Sequence, residues 1–130
     1  MNNLEEITER LQTDIETKNA KRDEALSRSR LLTRCCANTI RAIHREEWED
    51  AVSGLEEAKA VARELVIGVQ DHPDLYHAGY IQDALKELVE ACVTYALVRG
   101  ELLPTPETLG VVASTYLNGL AEAASEMRRK

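Results

Sequence analysis

The sequence predicts an all-α fold, an antiparallel bundle of long helices, and three observations carry that prediction. The 130 residues are rich in strong helix formers such as Ala, Leu, Glu, Lys and Arg. Only 6 Gly and 3 Pro punctuate the chain, no Phe is present, and β-branched runs that could build strands are few. Apolar residues recur at three- and four-residue steps through each segment. A content of 44% hydrophobic and 30% charged residues suits amphipathic helices and is too apolar for a disordered chain, and the length fits one domain, residues 1–130.

The first helix is the longest. No glycine precedes Gly54 and no proline precedes Pro73, so nothing in the opening segment has to break it. Leu4, Ile7, Leu11 and Ile15, then Leu32, Cys36, Ile40 and Ile43, form apolar stripes that call for a partner surface. Between them, residues 16–30 hold one large apolar residue, Leu26, and a crowd of bases: Lys18, Lys21, Arg22, Arg28 and Arg30. Residues 44–48 turn the chain, with His44 and Trp48 read as turn and packing residues. Ala51, Leu55, Ala58, Val61, Ala62, Leu65 and Val69 then repeat the helical period as a second helix. Pro73 stops it, because proline supplies no donor and disfavours helix at the preceding residue.

A third helix is expected from about Tyr76 to Arg99, with Gly100 in the position glycine takes past a helix end. Thr105 and Pro106 make a cap followed by proline at the first helical position. Residues 106–112 are therefore expected as a short helix, and Ser114 as the cap of the last one, which runs to Lys130. No repeat or low-complexity segment interrupts this order.

A formal net charge of -7 argues against a uniformly basic, nucleic-acid-coating surface, so any nucleic-acid contact must be local. No uncharged run reaches the roughly 20 apolar residues that span a bilayer, and Met1-Asn2-Asn3-Leu4-Glu5-Glu6 has no signal-peptide pattern. The expected location is cytoplasmic, with no membrane partner. Cys35 and Cys36 are adjacent and Cys92 stands alone; three cysteines without metal-ligand spacing are expected as reduced, buried thiols.

The sequence has no phosphate-cradling glycine loop, nucleophile elbow or zinc-spaced His and Cys set. The carboxylates remain. Glu87 and Glu90 lie three apart, one helical turn along the same surface, at the edge of the uncharged segment 91–98. An unpaired carboxylate at a buried helix end is costly, and a metal ion would relieve it. Glu122 and Glu126 lie four apart on the last helix, beside the small residues Gly119 and Ala123 that let another helix approach. If the two faces oppose each other, four carboxylates converge in the bundle interior. All-oxygen ligation favours Mg²⁺ or Mn²⁺, ions able to activate water for attack on a phosphodiester. With 23 acidic residues in the chain such pairs also arise on solvated faces, so spacing alone leaves both readings open. The same is true of the basic residues, which suit either a solvated face or phosphate contacts.

The order of several motifs resembles the translin superfamily, most closely its catalytic branch, translin-associated factor X. Arg22-Asp23, Leu26, Ser29-Arg30, Thr33, Thr39-Ile40 and Ile43-His44-Arg45 are similar to the family's first long helix. Lys86-Glu87-Leu88-Val89-Glu90-Ala91 resembles its Glu-x-x-Glu-Ala signature. Residues 116–122, Tyr-Leu-Asn-Gly-Leu-Ala-Glu, resemble its Asp-Tyr-Leu-x-Gly motif, and Glu126-Met127-Arg128-Arg129 resembles its Glu-Leu-x-Arg stretch.

The resemblance implies a translin-like α-superhelical bundle and a Mg²⁺-dependent (or Mn²⁺-dependent) endoribonuclease. In that reading Glu87, Glu90, Glu122 and Glu126 are the catalytic and metal-binding residues. RNA, or single-stranded DNA, is contacted by Lys18, Lys21, Arg22, Arg28, Arg34 and Arg41, inside a homo-oligomeric shell that is commonly an octamer. The alternative is a non-catalytic translin-like scaffold for single-stranded nucleic acid. Two departures stand out: Glu122 occupies a position where the family usually has Asp, and the sequence reaches Lys130 without the family's C-terminal helices.

Overall fold

The computed structural model describes residues 2–129, and every regular element among them is a helix. In chain order these are α1 (Leu4–His44), α2 (Trp48–Val69), α3 (Pro73–Tyr76), α4 (Gly79–Arg99), α5 (Pro106–Leu109) and α6 (Ala113–Arg129). The short connections make the long helices antiparallel neighbours. None of the helices is long and apolar enough to cross a membrane.

At 41 residues α1 is about 60 Å long, nearly twice the length of α2 or α4. Only its second half is packed. Leu32, Cys36, Ile40 and Ile43 are buried among α2 and α4, together with Leu65, Ile81, Leu85 and Leu88. The first stripe behaves differently: Leu4, Leu11 and Ile15 are exposed, and among the described residues no surface covers them. The end of α1 is where the bundle closes, because Arg45, Glu46 and Glu47 reverse the chain with Glu46 at φ 59° and the Glu47 amide donating to Ala42. Trp48 opens α2 as a packing residue, edge-on to Tyr95 with Arg99 over its ring.

The sequence-predicted stops are present at Pro73, Gly100 and Thr105. Gly100 takes φ 68°, with its own amide and that of Glu101 closing on the last carbonyls of α4. The Thr105 hydroxyl accepts from the Thr108 amide at 3.1 Å. Three boundaries differ from expectation, the first being α5, which ends at Leu109 rather than residue 112 because Gly110 takes φ 71° and caps it. The predicted third helix starts three residues later, at Gly79 after an extended Ala78, and is preceded by the unpredicted short helix α3, which buries Leu75. Ser114 is not the cap of α6, which starts one residue earlier with the Val112 carbonyl accepting from Tyr116. α6 packs on α4 through Val89, Val93 and Ala123. An apolar groove of about 590 Å³ between α2, α4 and the segment around α5 lies on a different face of α4 and includes none of the ten predicted site residues.

Candidate active site

The site begins with a close approach of backbones. A Cβ placed on Gly119 would stand 2.4 Å from Cβ and Cγ1 of Val89 and 3.1 Å from the Lys86 carbonyl oxygen. Ala123, one turn on, is fully buried. Only small residues allow α6 to lie this near α4, and that proximity opposes Glu87 and Glu90 to Glu122 and Glu126.

Glu90 is the most buried of the four, at 5% exposure. Its pKa is pushed up to about 8, first by burial, then by hydrogen bonding and charge from Glu87, then by the charges of Glu126 and Glu122. The neutral, protonated form is therefore favoured near neutral pH. Glu126 is held below the ordinary carboxylate range: burial opposes this, but the hydrogen bond from His44, the charges of Arg129 and His44, and hydrogen bonding with Glu90 outweigh it. His44 Nε2 lies 2.8 Å from one Glu126 oxygen and Arg129 pairs with the other. Lys86 stands between the two helices, 4.0 Å from Glu87 and 3.9 Å from Glu122. Among the described residues, no cationic side chain pairs with Glu90.

The donor chemistry fits a hard divalent cation, since an ion would replace the proton that Glu90 now requires. As they stand, the side chains do not close on one point: among the described residues no three His, Cys, Asp or Glu side chains are grouped to hold an ion. Closing the set requires rotation of the glutamates, and Glu87 and Glu122, with side chains 30% and 46% exposed, are the freest to turn.

The basic residues of α1 do not form one surface. Lys18 pairs with Asp74, and Arg28 pairs with Glu24 while lying against Gly68 of α2. Lys21 is half-buried and Arg22 is exposed. Arg34 and Arg41 are exposed and line a polar groove between α1 and α2, with Asn38, Arg45 and Ser53. Glu47, Asp50 and Glu57 also line it, so the groove is of mixed charge.

Comparison with known proteins places the chain. No family model matches it. An uncharacterized protein of Methanocaldococcus jannaschii is 30% identical over 118 residues, covering 87% of this chain and 50% of that protein. The crystal structure of AfC3PO superposes with a TM-score of 0.85 and 31% identity over 94% of this chain, and that of NeC3PO in its apo form with 0.82 and 26% over 99%. These two structures support a place for the chain in the translin superfamily. The chain spans 63% and 66% of those two solved chains and half of the M. jannaschii relative.

One residue bonded to the acidic cluster escapes sequence reasoning. The sequence reads His44 as a turn residue; it is instead the last residue of α1, bonded to a carboxylate 82 positions away. No local spacing signals such a contact. Its place in the Ile43-His44-Arg45 motif is the one available clue.

Proposed function

We propose that this chain is a subunit of a metal-dependent endoribonuclease of the translin-associated factor X type, cleaving RNA phosphodiesters with Mg²⁺ or Mn²⁺ held by Glu87, Glu90, Glu122 and Glu126. The observation that carries this reading is Glu90: a carboxylate buried among Glu87, Glu122 and Glu126, whose burial and acidic neighbours push its pKa up to about 8. A divalent ion there supplies Lewis acidity toward a phosphoryl oxygen and lowers the pKa of water.

The chain's own residues divide the remaining work. Glu90 would hold the ion as a carboxylate, its proton passing to solvent. Glu126, already ionised through His44 and Arg129, offers anionic oxygens without that cost. Glu87 and Glu122 would complete the ligand set from the more exposed side. Lys18, Lys21, Arg22, Arg28, Arg34 and Arg41 position the RNA backbone, contacts that set register rather than base preference. A homo-oligomeric shell, with RNA as the partner and single-stranded DNA as a second ligand, completes the reading.

Labelled RNA incubated with and without Mg²⁺ tests it. Cleavage is expected only with the metal and is lost in Glu90→Ala; cutting by that variant at the wild-type rate contradicts the assignment. A second reading, a translin-type binding scaffold, is favoured by Lys86, Arg129 and His44 already engaging three of the four acids. It predicts salt-sensitive binding to single-stranded RNA or DNA with no metal-dependent cutting.

A further inference from the structure

We infer that His44 is a positioning residue of the carboxylate cluster: from the end of α1 its imidazole fixes Glu126 in place, so that the freer glutamates, Glu87 and Glu122, can close on a divalent ion around it. This rests on the metal-dependent reading above and assigns a residue beyond its four acids.

Glu126 lies in the last turn of α6, where a helix has few backbone restraints and a glutamate has three rotatable bonds. Two side chains restrain it. Arg129 comes from the same terminal turn and is itself 66% exposed, so its hold is weak and screened by solvent. His44 comes from a different part of the molecule, next to the fully buried Ile43 in a cluster with Ala42 and Ala51. Its backbone is fixed by that packing, and its ring has only two rotatable bonds. The imidazole donates to Oε2 over 2.8 Å at a site where the Glu126 side chain is 11% and the His44 side chain 28% exposed. α1 and α6 hardly meet elsewhere, so this bond is what ties the end of α1 to the acidic face. A carboxylate offers about four lone-pair positions, so one occupied by His44 leaves others for an ion. Groups that orient a ligand in this way typically contribute 10–100-fold to metal affinity.

The test is Mn²⁺ binding by the whole chain, read as loss of the free-ion electron paramagnetic resonance signal, with melting temperature recorded beside it. His44→Ala is expected to weaken binding about 10–100-fold while the melting point stays near that of the wild type. His44→Gln, whose amide N–H reaches the same oxygen, recovers most of the affinity. Arg129→Ala stays within about fivefold of the wild type. Binding by His44→Ala equal to the wild type overturns the inference alone. Equal loss in the Ala and Gln variants, accompanied by a fall in melting point, marks a structural role and also overturns it. Absence of Mn²⁺ binding by the wild-type chain overturns the metal reading itself, and this inference with it.

Discussion

Replacing Gly119 with alanine should destabilise the protein, against the usual preference of helices for alanine. The added Cβ would sit 2.4 Å from two carbons of Val89, where carbon atoms in contact lie about 3.5–4.0 Å apart. Val89 cannot yield: it is fully buried, and a β-branched residue in a helix is confined to essentially one rotamer. The third neighbour, the Lys86 carbonyl at 3.1 Å, is backbone. α6 must therefore move away from α4, at an overpacking cost of about 1–3 kcal/mol. Alanine returns about 1 kcal/mol through helix propensity. Because the clashing atoms are a locked side chain and a backbone carbonyl, the cost sits toward the upper end, about 2–3 kcal/mol, and the net loss is on the order of 1–2 kcal/mol, a fall of roughly 4–8 °C in melting temperature for a domain of this size. Circular dichroism at increasing temperature, with urea titration as a second measure, reads the change. A Val89→Ala background removes the Cγ1 contact but keeps the Val89 Cβ at 2.4 Å, so Gly119→Ala should still destabilise there, by less than in the wild type, a coupling expected for residues in contact. A single Gly119→Ala variant melting at or above the wild type refutes the close approach, and with it the reason the acid pairs face each other.

Stability should also depend on pH through Glu90. Its folded pKa, about 8, is above its ordinary value of 4.5, so between these limits the folded chain holds a proton that the unfolded chain has released. Stability from this group is complete below about pH 4.5 and is lost as pH rises toward 8 and beyond. Glu126 contributes in the opposite sense, its share being lost as pH falls into the carboxylate range. Urea midpoints of the wild type and Glu90→Gln across roughly pH 5–9 check this, and the variant should be the more stable above about pH 8. The three thiols should resist alkylation in the native state, since all are buried and burial pushes Cys35 and Cys36 upward and Cys92 up to about 11. Thiol titration with and without guanidinium should find them reactive only after unfolding. Amide hydrogen exchange should divide α1: residues 4–20, without a packed face, exchange quickly, while residues 32–43 approach the global protection of the core.

Much of the bundle was legible because its boundaries are set by local chemistry. Proline at 73, glycine at 100 and the Thr105-Pro106 cap act through backbone geometry that the residue type itself dictates, and the 3.6-residue period of α2 named its buried face. The short helix α3 was not legible, because Pro73 reads as a stop although proline is well tolerated at a first helical position, and Leu75 is buried in a core assembled from other helices. The stripe of Leu4, Leu11 and Ile15 reads like the stripe of Leu32 to Ile43, yet one is solvated and the other is core; periodicity marks a face without saying what covers it. At the candidate site, spacing put each glutamate pair on one face, and Gly119 with Ala123 indicated how the faces could meet. The sequence did not reveal the partners that distinguish the four acids. Lys86 bridging two helices, and His44 reaching Glu126 from 82 residues away, are products of tertiary packing. The basic residues of α1 show the same limit, since their clustering in sequence did not foretell that Lys18 and Arg28 have intramolecular partners while Arg34 and Arg41 face a groove.

Whether Glu87, Glu90, Glu122 and Glu126 jointly hold a divalent cation is tested most directly by anomalous diffraction from crystals soaked in Mn²⁺. An anomalous peak is expected between α4 and α6, within coordination distance of Glu90 and of at least one acid of α6, with the Lys86 ammonium displaced from its place between Glu87 and Glu122. A Mn²⁺-soaked crystal with no peak there, and with Lys86 still bridging those two glutamates, would contradict the shared site.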